Sequence, residues 1–175
     1  IVTVRRQTFG EELNISPMVT GFYWSAVCRM QLRCVIFSTA ALLPFMIRFL
    51  LKDMQRSVER IERALVAGEQ ITVYGDYDVD GISASSLLYL YLKQRGGRVA
   101  TYIPQRKSEG YGLNDEALKN IAEKGTTLVI SVDCGISGLH EVANAPKSLD
   151  IIITDHHTVP EVLPPAYAIN QRQAA

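Results

Sequence analysis

Three short stretches of this sequence concentrate groups that bind hard cations or move protons. Gly75-Asp76-Tyr77-Asp78-Val79-Asp80-Gly81 sets carboxylates on alternate residues, Asp133-Cys134-Gly135 adds another, and Asp155-His156-His157 joins an acid to two imidazoles. Carboxylates crowded together repel and partly protonate unless a cation neutralises them. Carboxylate oxygen favours hard divalent ions, and imidazole shifts the choice towards transition metals, so a mixed set suits Mn²⁺, with Mg²⁺ or Zn²⁺ as alternatives. A carboxylate shared by two ions suits two-metal hydrolysis of a phosphodiester, in which the ions acidify water and offset charge on a phosphoryl oxygen. Duller readings exist for each residue. A single acid at a strand end is commonly a helix cap, and Asp80 could cap the next helix and still bind metal. A His-His pair alone carries no ligand geometry. Cys134 reads as a small packed residue. Arg106 and Lys107 read as a solvated loop face, with a phosphate contact as the sharper alternative. The alternating triplet weighs against the dull reading, because three acids in five residues need a counter-ion.

Something must bring these stretches together. Ile71–Tyr74, Thr127–Val132 and Asp150–Thr154 are apolar, β-branched runs that predict strands, and each leads directly into one of the three stretches. Arg98–Ile103 alternates and predicts a further strand. Asp53 as N-cap, Val58, Ile61 and Leu65 as an inward stripe, and Gly68 as C-cap predict a helix near 54–67. Ser83–Arg95, a segment capped by Asn114 and ending near Gly125, and Leu139–Asn144 predict three more. Strands alternating with helices predict an α/β fold, a mostly parallel sheet with helices on both faces. Ligands of such sheets gather beyond the carboxyl ends of the strands. The three stretches are therefore expected to meet at one sheet edge.

The rest of the sequence bounds this reading. With 175 residues, 47% apolar and 21% charged, the chain suits one ordinary domain with a real core. Eighteen basic residues balance eighteen acidic ones, so a polyanionic substrate would be drawn by local groups or bound cations, not by a global field. The odd set Cys28, Cys34 and Cys134 fits neither a disulfide framework nor a zinc ribbon, which points to a reducing cytoplasm. The run Val35–Ile47 is shorter than the about 20 residues a bilayer span needs, so no membrane partner is expected. Residues 1–48 show no sustained period, and the chain opens on Ile1 with no signal peptide visible.

Taken together, Val73–Gly81, Val132–Ile136 and Asp155-His156-His157 resemble the first, second and name-giving motifs of the DHH phosphoesterase superfamily. Phe49–Met54, Ile103-Pro104, Arg106 and Glu109–Asn114 resemble segments of its single-stranded-DNA exonuclease branch, so the likeness covers about residues 49–170. The resemblance implies roles. Asp78 and Asp80 would bind metal, with Asp76 an additional member. Asp133 would bridge two ions and His156 would bind the second. His157 would contact the scissile phosphate or orient the site, and Asp155 would hold an imidazole from behind. Gly110 and Gly112 would let their loop turn tightly, and Arg106 would touch a phosphate. The implied function is Mn²⁺- or Mg²⁺-dependent digestion of single-stranded DNA from the 5′ end, in recombination and repair. The family continues through a fourth acidic motif, a DHHA1-type domain and an OB-fold, none of which is found in these residues. The expectation is then a segment 1–48 of atypical or frame-shifted sequence, and a partial DHH domain at 49–175 that binds metal weakly and has little activity alone. Three other readings compete: a relative acting on short oligonucleotides or cyclic dinucleotides, a receiver-type Mg²⁺-binding signalling domain, and an inactive remnant. A receiver would need a lone phosphoacceptor Asp and a later Lys, where this sequence has His156-His157.

Overall fold

Among the described residues, the alternation of strand and helix signals resolves into nine elements. A computed structural model describes residues 51–105 and 110–171. The expectations for residues 1–48 and for Arg106 lie outside the described residues. In chain order the elements are α1 (Met54–Ala67), β1 (Gln70–Tyr74), α2 (Val79–Gln94), β2 (Arg98–Tyr102), α3 (Asp115–Glu123), β3 (Thr126–Val132), α4 (Leu139–Asn144), β4 (Asp150–Asp155) and β5 (Ala168–Gln171). The strands form one sheet in the order β2-β1-β3-β4-β5. Every neighbouring pair is parallel, with Val73 opposite Ile130 and Ile130 opposite Ile152. The expected α/β architecture is therefore present.

Side chains alternate between the sheet's two faces. Ile71, Val73, Leu128, Ile130, Val132 and Ile152 pack with Ala64 of α1 and Leu92 of α2. Val129, Ile151, Ile153 and Ile169 pack on the other face with Leu118 and Ile121 of α3 and Val142 of α4. Burial on both faces is why β3 and β4 read as continuous apolar runs. The chain winds outward from β1 to β2, then returns to β3 and continues the other way. That reversal leaves a crevice between the carboxyl ends of β1 and β3, where ligands of doubly wound sheets bind. Among the described residues, no helix is long and apolar enough to cross a membrane.

Three local expectations need correction. First, α1 turns only part of the Val58, Ile61 and Leu65 stripe inward: Ile61 and Leu65 pack partly buried against the core. Its buried line is Ser57, Arg60 and Ala64, and Val58 is 40% exposed. Ser57 Oγ accepts from Asn170 Nδ2 and Arg60 donates to Glu69 and Asp150, so polar contacts share the inward side of the helix with the apolar stripe. Second, Asp53 occupies the N-cap position of α1 as expected, but its side chain makes no capping hydrogen bond; its carboxylate accepts from the Ile169 N–H of β5 at 3.2 Å. Third, α2 starts at Val79, inside the acidic stretch. Asp78 is its N-cap, with Oδ1 accepting from Gly81 N at 2.8 Å, and Asp80 lies in its first turn. Both acids thus favour the positive end of the helix dipole. β5, four residues with Asn170 and Gln171 in it, had no strand signal in the sequence.

Candidate metal centre

The first acidic stretch is shaped by two glycines. β1 hands Gly75 and Asp76 to the sheet edge, and α2 turns back so closely that Gly81 lies against Asp76. A Cβ on Gly81 would stand 2.7–2.8 Å from the backbone and Cβ of Asp76, and one on Gly75 would overlap Ser85 Oγ. Only hydrogen side chains allow this approach. The result is a buried carboxylate: Asp76 is 3% exposed, and its Oδ1 has no hydrogen-bond partner.

β3 ends at Val132, and Asp133 follows with φ 61°, a left-handed backbone that Asp tolerates better than most residues. Its N–H donates to Thr154 O at 2.9 Å. Its carboxylate, 7% exposed, accepts from His156 Nε2 at 2.9 Å. Burial and then the nearby charge of Asp78 push the Asp133 carboxyl above its usual range, against the pull of the two imidazoles. Ser131 Oγ donates to Cys134 O at 2.8 Å, and Thr154 Oγ1 donates to Ser131 O at 2.6 Å, which fixes the turn. Cys134 is buried at 1% exposure, as expected for a packed thiol, and that burial pushes its ionisation up.

β4 ends on Asp155, whose carboxylate is fully engaged. Oδ2 accepts from Ile136 N at 2.9 Å. Oδ1 accepts from His156 N at 2.7 Å, His157 N at 3.0 Å and His157 Nδ1 at 2.7 Å. Burial opposes its charge, yet these donors together hold the carboxyl below its ordinary value. The same bond to Asp155, against some desolvation, raises the His157 imidazole. Gln171 Nε2 of β5 donates to His157 O at 2.5 Å and clamps the histidine's backbone.

Ligand atoms of Asp133, His156 and His157 lie within 4.8 Å of one another. Asp78 is close enough to raise Asp133, and Asp76 close enough to raise His157. The structure therefore gathers the expected acids and imidazoles at the carboxyl ends of β1, β3 and β4. Asp80 differs. Like Asp76 and Asp78 it stands outside the group of Asp133, His156 and His157, but unlike them it is not among the main charges acting on Asp133 or His157; it is exposed on the first turn of α2. The donor set fits a divalent ion on three counts. It mixes oxygen with imidazole nitrogen, one buried carboxylate oxygen lacks any partner, and among the described residues no Lys or Arg pairs with Asp76, Asp78, Asp133 or Asp155.

Two contributors were not assigned a role from the sequence. Tyr111 sits between Gly110 (φ 78°) and Gly112 (φ 86°), and its hydroxyl lies 3.4 Å from Asp133 O and within 3.3 Å of the His157 ring nitrogens. Burial, and then Asp155 and Asp76, push its ionisation far up, so it remains a hydroxyl. Its position between two glycines was a readable signal. Gln171 gave none.

Residues 70–175 match the DHH family, N-terminal domain. The chain is 37% identical over 160 residues to the single-stranded-DNA-specific exonuclease RecJ of Bacillus subtilis, covering 91% of this chain and 20% of that protein. It is 35% identical over 159 residues to RecJ of Thermus thermophilus, covering 90% of this chain and 22% of that one. A crystal structure of exonuclease RecJ bound to manganese superposes with a TM-score of 0.63 at 33% identity, covering 69% of this chain and 31% of that one. The chain thus spans about a fifth of the length of the curated relatives it matches. A parallel sheet of this order, with acids and imidazoles at the ends of β1, β3 and β4 and a family match beginning at the first residue of β1, places this chain in the DHH family.

Proposed function

We propose that this chain forms the metal-holding part of a nuclease that digests single-stranded DNA from its 5′ end, as the RecJ relatives' names indicate for their strand preference. One observation carries the reading: three strand ends converge so that Asp133, His156 and His157 face one another beside the unpartnered Asp76 carboxylate. Asp76, Asp78, Asp133 and His156 would hold the ions, with Asp80 at the rim. Mn²⁺ is the first candidate, since a related structure carries it; Mg²⁺ is the alternative. Such ions supply Lewis acidity, making water a nucleophile near neutral pH and stabilising charge on the phosphoryl group.

The chain's own groups do the rest. Asp133, held by the β3 turn and the Thr154 carbonyl, keeps its carboxylate in the crevice. Asp155 fixes the proton of His157 on Nδ1, which leaves Nε2 to face a phosphate oxygen or a leaving group. Arg106 remains a candidate phosphate contact. The cytoplasm, and a part in recombination and repair, follow from the same reading. The division at residues 48 and 49 belongs to the proposal too, with the DHH domain from 49 onward.

Calorimetry with Mn²⁺, and digestion of 5′-phosphorylated single strands against duplexes and dinucleotides, test it. The reading expects Mn²⁺ uptake that is lost in Asp133→Asn, and hydrolysis that is weak in this partial domain but prefers long single strands. Equal uptake by wild type and Asp133→Asn would remove the site, and preference for dinucleotides would replace the substrate.

A further inference from the structure

His157 is fixed along its backbone and at one ring nitrogen, yet one freedom remains. Gln171 holds its carbonyl, and Asp155 holds its N–H and Nδ1. The last torsion of a histidine is broad, so the ring can still rock about the line from Nδ1 to the Asp155 oxygen. Tyr111 stands where it stops that motion. Its hydroxyl is 3.3 Å from Nδ1 and 3.2 Å from Nε2, almost equidistant. An oxygen equidistant from both nitrogens cannot lie in the ring plane at that range, because it would overlap Cε1. It lies over the ring face, and the two rings are accordingly near-perpendicular at 76° with centroids 5.8 Å apart. The Tyr111 hydroxyl therefore does not block the in-plane direction from Nε2.

Tyr111 is itself held firmly. The next residue's carbonyl, Gly112 O, accepts from Tyr74 OH at 3.0 Å, and Leu113 is buried in the core. Its ring meets the Tyr77 ring edge-on at 6.5 Å. The hydroxyl of a tyrosine that is 49% exposed would ordinarily point to water. Here it points at an imidazole and at the Asp133 carbonyl.

We propose that Tyr111 is a positioning residue, whose hydroxyl sets the tilt of the His157 ring and so aims Nε2 at the reacting phosphate. The proposal rests on the phosphodiesterase reading above for what Nε2 meets, but the tilt can be measured without turnover. The chain has three histidines, His140, His156 and His157. Long-range ¹H–¹⁵N spectra of the Mg²⁺-loaded 175-residue chain therefore resolve each imidazole, and His140, bonded to Asn144 on α4, serves as the internal reference. Tyr111→Phe keeps the ring and removes the hydroxyl. It should displace the His157 ring nitrogens, move His156 less and leave His140 in place. On a 5′-phosphorylated single strand with Mn²⁺ it should lower kcat roughly tenfold to a hundredfold with KM unchanged, the usual scale for a group that orients another. Tyr111→Leu should reproduce both effects. His157 signals that superpose on wild type in Tyr111→Phe, or a His140 shift as large as that of His157, overturn the proposal. A wild-type chain that takes up no Mn²⁺ would sink the metal-centre reading instead, while the imidazole spectrum would still decide the role of Tyr111.

Discussion

The two edges of the sheet handle buried charge in opposite ways. At the amino edge, Arg60 is 6% exposed and fully answered: Nε donates to Asp150 at 2.6 Å and Nη2 to Glu69 at 2.7 Å, while Thr127 Oγ1 donates to the same Glu69 oxygen at 2.5 Å. At the carboxyl edge, among the described residues, no Lys or Arg pairs with Asp76, Asp78, Asp133 or Asp155: Asp78 caps α2, Asp155 accepts from backbone N–H groups and His157, Asp133 accepts from His156, and an oxygen of Asp76 is unmatched. The first edge ties α1 to β4 and serves the fold. The second holds charge that the protein alone does not neutralise, which is what a cation site requires. Similar residue types do different work according to whether a guanidinium is built in beside them.

Breaking the amino edge should have the largest effect on stability. Arg60→Met strands two carboxylates, and urea denaturation should show a loss of about 2–3 kcal/mol, less than for a fully buried pair because Glu69 and Asp150 keep some water. Mn²⁺ uptake by the folded fraction should match wild type; a large drop would mean that the edges are not independent. Next comes Gly81→Ala, which drives a methyl into the Asp76 backbone. A cost of roughly 1–3 kcal/mol is expected, together with weaker Mn²⁺ binding in calorimetry.

The carboxyl edge should answer with the opposite sign. Asp133→Asn relieves crowding and keeps the left-handed backbone that Asn also tolerates. The metal-free variant should gain about 0.5–2 kcal/mol, as is common when a functional site is relaxed. Mn²⁺ should raise the melting temperature of wild type but not of this variant. The smallest effect is in pH dependence. The Glu69 carboxyl is held below its ordinary 4.5, first by Arg60 and then by Thr127, so its contribution is present above that value and lost as pH falls through the lower folded one. The Asp133 carboxyl is raised above its ordinary 3.8, so its contribution is present below that value and lost as pH rises through the higher folded one. Urea midpoints across acid pH should therefore show a weaker acid loss in Arg60→Met and a steeper one in Asp133→Asn. Parallel curves for both variants would erase the distinction between the edges.

Much of this was readable because it follows from periodicity. The two-sided burial of β3 and β4 makes apolar runs, and the acids appear at the points where those runs stop. Asn114 caps α3 with Oδ1 accepting from Ala117 N, and Gly68 ends α1 with φ 65°, both from local chemistry alone. What could not be read depended on partners distant in sequence. Ser57 and Arg60 lie inward on α1 because Asn170 and Asp150 wait for them. Asp53 serves β5, a strand too short and too polar to announce itself. Asp78 caps α2 rather than lying in a loop, and Asp80 falls in the helix's first turn.

β5 ties the two ends of the domain together. Its Ile169 and Asn170 fasten α1 through partners 116 and 113 residues away, and its Gln171 grips the His157 carbonyl. On the ribosome, a nascent chain stalled before Ala168 already contains every candidate metal ligand. It would still lack the outer rail that seals α1 and steadies His157, so this edge of the sheet and the backing of His157 are set at the same moment of synthesis.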